Sequence, residues 1–280
     1  MWPTSSRSRP PLALLLLACL ALACATPLTI DQERKLGDEF SREIRREITL
    51  FRDEVVQAYV EDIGRSIVEA AGTQPFTYHF YVVEDEDLNA FAAPAGHVYL
   101  NTGIILNARN VGEVAGVMAH EVGHVAKRHV AHNYNRQRTT GLAHQAAVIA
   151  AGMLGGQAAA GATNLLGGIG AMSYLNTFTR DAEREADAFA IEVLPRAGYH
   201  PEGMVTFFQT LRNEGGPRPP PFLSSHPTTD ERIENARRMI AATPLPPGLR
   251  RDDGGRFEII QHRVRVRSGG GAAAPDRSRR

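Results

Sequence analysis

Cysteine is almost absent from this chain of 280 residues, which contains only Cys19 and Cys24. The long segment that follows Cys24 can therefore form no internal disulfide. An excess of one charge is also absent, because 31 basic residues face 31 acidic residues. Without residues 1–23, which hold Arg7 and Arg9 and no acid, 29 basic residues face 31 acidic ones, a net charge of −2. This balance gives no reason to expect a nucleic-acid partner.

Long apolar runs are missing as well. The run Pro11–Ala23 has 13 residues, and a membrane-spanning helix needs about 20. Arg7 and Arg9 precede this run and small residues end it, which is the pattern of a secretory signal peptide over residues 1–23. We therefore expect an exported protein.

The two cysteines lie where a bacterial lipoprotein would carry its lipid. The segments that end at Cys19 and Cys24 resemble the lipobox, whose cysteine becomes the lipid-bearing first residue after cleavage. We prefer Cys24, which leaves the better-sized apolar core, although Cys19 has the better leucine three positions upstream. Ala25 and Thr26 lack the aspartate that signals inner-membrane retention in enterobacteria, so an outer-membrane lipoprotein facing the periplasm is expected. Ordinary secretion is the alternative.

The rest of the chain suits one catalytic domain, residues 24–245, followed by a tail, residues 246–280. Within the tail, Arg256–Val266 is rich in β-branched residues and is expected to add one strand. The last part, Ser268–Arg280, is rich in glycine, alanine and arginine and is expected to be disordered.

A second weakly polar region, Leu142–Leu175, is rich in glycine and alanine. Its longest uninterrupted apolar run, Ala146–Gly156, has 11 residues and is too short to span a bilayer. We expect a helical hairpin packed through small residues beside the site, with a mobile lid or a membrane-touching segment as alternatives.

Periodicity predicts a mainly helical α+β protein with a small sheet. Asn110 is a plausible N-cap for the most apolar helix, and His97–Asn101 is our candidate for an edge strand able to bind an extended peptide, with a buried strand as the alternative. The predicted helices cover residues 30–51, 53–71 and Val111–Ala131, with Gly72 as a stop, and the predicted strands are Phe76–Glu84 and Gly96–Thr102.

The third predicted helix contains the sequence His-Glu-Val-Gly-His at residues 120–124. On a helix, His120 and His124 lie about 6 Å apart along the axis and about 40° apart around it, so both imidazoles can reach one zinc ion. Glu121 points about 100° away from His120, which suits a carboxylate that acts on water at the zinc without binding the metal. This arrangement is typical of zinc proteases. The alternative is a pair of ordinary histidines on an amphipathic helix.

A third ligand is needed, because two nitrogen atoms do not make a protein zinc site. A longer three-histidine motif is excluded, since its positions hold Lys127 and Val130. On a continuous helix, His129 lies about 180° around from His120, so we interpret His129 and His132 as ordinary surface residues.

The better candidate is Glu183, in a helical stretch that also places Asp187 one turn later on the same face. A carboxylate suits zinc as third ligand, and Asp187 could accept the hydrogen bond from the far nitrogen of a ligating histidine. Glu185 has Phe189 four residues later instead of an acid, so we assign Glu185 and Arg184 to the solvated face. A wholly solvated helix is the alternative.

Three ordered motifs carry a family resemblance. They are His-Glu-x-x-His at 120–124, Thr-Arg-Asp-Ala-Glu-Arg-Glu-Ala-Asp at 179–187, and Ser-His-Pro-Thr-Thr-Asp-Glu-Arg-Ile at 225–233. Over roughly residues 30–242 the chain resembles the CAAX-prenyl-protease and HtpX-type zinc metallopeptidases, in their soluble periplasmic lipoprotein branch. The resemblance implies a zincin-like domain with its small sheet beside the motif helix, and Glu183 as the zinc ligand.

The third motif implies two further roles by the same resemblance. In some members its histidine occupies the open coordination site and keeps the enzyme inactive, so His226 inherits the role of a switch. Arg232 inherits a position near the site, where a guanidinium could stabilise the oxyanion. The alternative for His226 is a loop residue before a helix that starts near Thr228.

We therefore predict a periplasmic zinc endopeptidase that acts on unfolded or misassembled envelope proteins, with unfolded outer-membrane proteins as expected partners. One Zn²⁺ per subunit, held by His120, His124 and Glu183, would supply a water of lowered pKa, and Glu121 would carry its proton to the leaving amine. One rival is a chaperone-like or binding protein with a structural or autoinhibited zinc site. Another is a zinc hydrolase of cell-wall or other non-protein substrates.

Overall fold

The computed structural model describes residues 27–140, 177–213, 220–227 and 230–269. The expected signal peptide, both cysteines, the whole Leu142–Leu175 region and the last eleven residues lie outside the described residues.

Helices dominate the described chain, and the prediction of a mainly helical α+β fold is confirmed. Residues 129–140 are also helical. No helix among the described residues is long and apolar enough to cross a membrane. The elements in chain order are α1 Ile30–Glu47, α2 Glu54–Ala70, β1 His79–Val83, β2 Ala90–Ala93, β3 His97–Asn101, α3 Thr102–Asn107, α4 Val111–Ala126, α5 Arg180–Arg196, α6 Glu202–Asn213, α7 Pro221–Ser225, α8 Asp230–Ala242 and α9 Arg256–Gly269.

The first two helices begin and end at strong local signals. Thr29 and Gln32 form a capping box at the start of α1. The Asp53 carboxylate caps α2 by accepting hydrogen bonds from the backbone of Val55 and Val56. Gly72 follows α2 with a φ of 78°, which confirms the predicted stop.

The sheet has the strand order β1, β3, β2, with β1 parallel and β2 antiparallel to β3. All five residues of β3 are buried, so the prediction that His97–Asn101 is an edge strand is wrong. Periodicity missed β2 because three of its four residues are alanine. The turn at Gly96 requires glycine, since its φ is 99° and a Cβ there would lie 2.4 Å from the Thr77 carbonyl oxygen.

The two edges of this sheet differ. The side-chain amide of Gln57 donates to the Phe80 carbonyl at 2.7 Å and accepts from the Val82 backbone at 3.3 Å, on the outer side of β1. The backbone of Phe51 also donates to the Val82 carbonyl, at 2.9 Å. Within the described ranges no strand pairs with the outer side of β2, which makes β2 the open edge.

Helix α4 runs through the core and is buried along nearly its whole length. The predicted N-cap is confirmed, since the Asn110 side chain accepts from the Glu113 backbone. Close packing depends on glycine: a Cβ at Gly123 would lie 3.2 Å from the Cα of Ala186 in α5. The helix that carries the motif and the helix that carries Glu183 can therefore approach each other closely.

The motif helix ends five residues earlier than predicted, at Ala126. Arg128 has a left-handed backbone, with a φ of 59°, and this conformation breaks the helix. Its guanidinium donates to the buried Glu33 carboxylate and to the Leu28 carbonyl, both at 2.6 Å. These bonds offset the backbone strain at the break.

The strand predicted at Arg256–Val266 is wrong, because these residues form most of α9. Phe257, Ile260 and Val264 are buried at spacings of three and four residues, the helical period, and this pattern outweighs the β-branched composition. The predicted tail is thus partly ordered, and Arg263 pairs with Asp53 beneath α2 at 2.9 Å.

Candidate metal centre

Four buried side chains meet beside the middle of α4. His120 and His124 come from α4, Glu183 from the first turn of α5, and His226 from the residue that ends α7. One potential ligand atom from each residue lies within 4.8 Å of the others, so the four could hold a metal ion. The three ligands predicted from the sequence are therefore brought together, and the predicted switch residue joins them.

The distances within this cluster suit a small tetrahedral ion. His120 Nε2 lies 3.0 Å from His124 Nε2 and 3.2 Å from His226 Nδ1. Glu183 Oε1 lies 3.0 Å from His226 Nδ1 and 3.5 Å from His124 Nε2. Tetrahedral coordination with bonds of about 2.0 to 2.1 Å separates the ligand atoms by about 3.3 Å. The cluster has this spacing.

The charges of the site fit a divalent cation. Glu121, Glu183 and Asp187 are buried carboxylates, and Arg232 is the buried guanidinium that faces them. If all three carboxylates are ionised and the histidines are neutral, the site has a net charge of −2, which is costly to bury without a partner. A divalent ion held by the four residues would neutralise this charge.

The Glu121 carboxylate is the least satisfied polar group at the site. It is fully buried, and neither of its oxygens has a hydrogen-bond partner among the described residues. Burial raises its pKa against the opposing charges of His226 and His120. The His226 Nε2 atom lies 3.5 Å from Glu121 Oε1. Glu121 is thus beside the ligand cluster and outside it, as its position in the motif predicts.

The far side of His120 is held by Asp187. His120 Nδ1 lies 3.0 Å from Asp187 Oδ1, while Nε2 faces the other ligands. Burial lowers the pKa of His120, but its hydrogen bonds with Asp187 and Glu183 outweigh burial and raise the pKa to about 9. The predicted partnership between Asp187 and a ligating histidine is present in the structure.

Arg232 binds both carboxylates of α5. It donates to Asp187 through Nε at 2.9 Å and Nη2 at 2.7 Å, and its Nη1 lies 2.6 Å from Glu183 Oε2. Nη1 also donates to the Pro227 carbonyl, at 3.0 Å, and the guanidinium lies over the Phe208 ring. Arg232 is therefore near the site, as expected, but its described contacts are with the groups behind the ligand atoms.

The prediction that His129 is a surface residue is wrong, whereas His132 is exposed as predicted. The helix break at Arg128 turns His129 back toward α4, where its Nδ1 lies 3.0 Å from His124 Nδ1. Its Nε2 lies 3.3 Å from Glu185 Oε2. Glu185 is exposed, as predicted, and contacts the site through His129 alone among the bonds described.

Two aromatic side chains complete the walls of the site. Phe178 stacks on the His124 ring at a centroid distance of 3.8 Å, and Phe222 stacks on the His226 ring at 4.5 Å. Sequence reasoning missed both, because an isolated phenylalanine carries no signal that separates this position from any other core position.

Comparison with known proteins gives one family match and several relatives. The family model of peptidase family M48 matches residues 54–240. A putative β-barrel assembly-enhancing protease of Vibrio cholerae is 33% identical over 80% of this chain and 47% of its own length. The metalloprotease YcaL of Escherichia coli is 32% identical over 64% of this chain and 68% of its own. The chain spans about half the length of the β-barrel assembly-enhancing proteases it matches.

Proposed function

The chain belongs to peptidase family M48, and we propose that it is a zinc-dependent endopeptidase that cleaves unfolded or misassembled envelope proteins. One observation carries this proposal most directly. The buried Glu121 carboxylate lacks a hydrogen-bond partner in the described chain and lies next to a cluster that could hold a metal ion. A carboxylate without a structural partner at such a place suits a proton carrier.

We assign His120, His124 and Glu183 as the zinc ligands. Two imidazoles and one carboxylate form a ligand set typical of catalytic zinc, and the described distances fit zinc bond lengths. When bound, zinc would supply a water of lowered pKa and a Lewis acid for the substrate carbonyl. The ligand residues hold their coordinating atoms toward one point and turn their other atoms toward partners in the protein.

Glu121 is assigned the proton transfers. Its carboxylate would accept a proton from the attacking water and deliver it to the nitrogen of the leaving amine. Burial raises the pKa of Glu121, which brings its proton affinity closer to what a general base and acid needs near neutral pH. Because Arg232 already binds Asp187 and Glu183, we propose that it fixes these carboxylates, in place of the oxyanion role expected from the sequence.

We propose that His226 is a displaceable fourth ligand that closes the site at rest. Its Nδ1 atom faces His120 and Glu183, but its Nε2 atom lies 3.5 Å from Glu121 Oε1, whereas the second nitrogen of His120 lies 3.0 Å from Asp187. A ligand whose second nitrogen is held at a longer distance is the easiest of the four to rotate away. Its departure would open the coordination position that a catalytic site requires.

The open edge of β2 is the proposed place for the substrate backbone. The Asn101 backbone donates to the Asn89 carbonyl, so the antiparallel alternation turns the backbone groups of Ala90 and Ala92 away from β3. An extended peptide can add to such an edge through main-chain hydrogen bonds. Leu88, just before β2, accepts from the backbone of Phe222, whose ring stacks on His226. The edge is thereby linked to the candidate switch.

The envelope setting rests on the relatives and the N-terminal sequence. The β-barrel assembly-enhancing proteases give a precedent for protein substrates in barrel assembly, at 31% to 33% identity. The signal over residues 1–23 and the lipobox at Cys24 support export and a lipid anchor in the outer membrane, facing the periplasm. We propose unfolded outer-membrane proteins as substrates on these grounds.

A second candidate is favoured by the position of His226. Four protein ligands are typical of structural zinc, so a chaperone-like protein that binds unfolded chains around a closed site would have the same cluster. Such a protein would bind casein without cleaving it.

The test compares the unaltered protein with Glu121→Gln, using Glu192→Gln on the exposed face of α5 as the matched control. Zinc content should be about one ion per chain in all three, because Glu121 is not a ligand. Cleavage of casein should fall by about 10²- to 10⁴-fold in Glu121→Gln only, the usual contribution of a general base. Casein cleavage by Glu121→Gln at the control rate would refute the endopeptidase assignment, and an unaltered protein that binds casein uncut would establish the second candidate.

A further inference from the structure

We infer that His129 and Glu185 form a positioning chain for His124, equivalent to the one that Asp187 and Arg232 provide for His120. The inference rests on the proposed function in one respect, that His124 is a zinc ligand. It adds that His124 is oriented by His129, a neutral histidine that donates its own proton to the exposed carboxylate of Glu185.

The hydrogen-bond geometry determines where each proton lies. His124 Nε2 faces the ligand cluster and must keep a lone pair to bind a metal, so its proton lies on Nδ1. That proton can be donated to His129 Nδ1 at 3.0 Å, which requires the His129 proton to lie on Nε2. Glu185 Oε2, 3.3 Å away, is the acceptor for it. Each donor in this chain has one acceptor, and no group changes charge.

The break in the motif helix makes this chain possible. In a continuous helix, five residues of about 100° each would turn His129 about 140° away from His124. The left-handed residue Arg128 redirects the polypeptide backbone so that the His124 and His129 rings lie 5.0 Å apart. The Arg128 guanidinium is held by the buried Glu33, so the break is anchored to α1.

The His124 ring is then fixed in two ways. Phe178 stacks on its face at 3.8 Å, and the bond to His129 opposes rotation of the ring about its Cβ–Cγ bond. His120 receives the corresponding restraint from a charged carboxylate, Asp187. A neutral acceptor raises the basicity of its ligand less than a carboxylate does, so we expect His129 to orient His124 more than it strengthens its bond to zinc.

The test measures release of Zn²⁺ from the loaded full-length protein to a chromogenic chelator, in His129→Leu, His129→Asn and Glu185→Ala. Leucine fills the buried site without an acceptor, whereas the asparagine oxygen can take the place of Nδ1. Release should be about 10- to 100-fold faster in His129→Leu, largely restored in His129→Asn and intermediate in Glu185→Ala. His132→Asn, exposed on the same helical segment, is the control and should release zinc at the original rate.

A second readout separates positioning from a packing effect. Loss of ligand orientation should lower kcat for casein more than it raises KM, and the asparagine variant should recover kcat. Equal release rates in His129→Leu and the unaltered protein, or equal defects in the leucine and asparagine variants, would overturn the inference. Because Glu185 is exposed, Glu185→Ala is expected to fold. An unchanged rate of zinc release in this variant would show that Glu185 has no part in positioning His124. A different result would count against the proposed function itself, namely that the His124→Ala protein keeps its zinc.

Discussion

The candidate metal centre joins two kinds of ligand, three carried by helices and one carried by the end of a short helix. Each helix-borne ligand has a partner behind it: His120 has Asp187, His124 has His129, and Glu183 has Arg232. The second nitrogen of His226 lies farther from its neighbouring carboxylate, 3.5 Å from Glu121 Oε1, than His120 lies from Asp187 at 3.0 Å or Glu183 from Arg232 at 2.6 Å. Among the described contacts, the rings of Phe222 and Phe178 lie 4.5 Å and 5.3 Å from the His226 ring.

This difference is the basis for the proposed division between three permanent ligands and one displaceable ligand. Partners behind a ligand fix its tautomer and ring orientation, so that the coordinating atom stays in place without the metal. Gly123 permits the close packing that sets α4 against α5, and the helix-borne ligands therefore share one frame. His226 belongs to a different segment. The Ser225 carbonyl, which accepts from the Phe178 backbone, and the Pro227 carbonyl, which accepts from Arg232, tie this segment to the rest of the described chain.

The largest expected effect comes from removing a helix-borne ligand. Glu183→Gln keeps the size of the side chain but replaces the carboxylate with an amide, a poor zinc ligand, and leaves the site one negative charge short. We expect zinc affinity to fall by more than about 100-fold, beyond the cost of altering a group that only orients a ligand. Equilibrium dialysis against a buffered zinc series would measure it. Glu192→Gln, exposed on the same helix, should bind zinc normally. Normal zinc affinity in Glu183→Gln would contradict the proposed difference between the two kinds of ligand.

A smaller effect is expected from the partner behind His120. Asp187→Asn removes the charge that holds the His120 tautomer and the carboxylate that Arg232 binds through two nitrogens. Zinc affinity should fall by about 10- to 100-fold. Thermal unfolding should also shift down, because the buried guanidinium loses a charged partner. The control is Asp181→Asn, which is exposed on α5. If Asp187→Asn bound zinc as tightly as this control, the partners behind the ligands would not be what keeps the ligands in place.

Much of this frame is predictable from the sequence, because it depends on helical period. The four-residue spacings of His120 with His124 and of Glu183 with Asp187 place each pair on one helix face, and the structure has both pairs where the period puts them. The cap at Asn110 and the stop at Gly72 are equally local signals. Local chemistry and local geometry agree at these positions.

The errors arise where distant contacts decide. The role of His129 depends on Arg128, whose left-handed backbone is stabilised by Glu33, about 95 residues earlier in the chain. Strand β3 is central because β1 and β2 pair on both of its sides, which no pattern within β3 reveals. In α9, β-branched composition and helical spacing conflict, and packing against α2 and α3 favours the helix.

The variant His226→Ala changes the three helix-borne ligands least. It is also the most direct test of how the fourth ligand differs from them. X-ray absorption at the zinc edge would count the imidazoles bound to zinc, in the resting unaltered protein and in His226→Ala, with exposed His262→Ala as control. We expect three imidazoles in the unaltered protein, two in His226→Ala, and about one zinc per chain in both. Casein cleavage should rise by about tenfold if His226 is displaced in about a tenth of resting molecules. Loss of zinc from His226→Ala, or an unchanged imidazole count, would contradict the division between permanent and displaceable ligands.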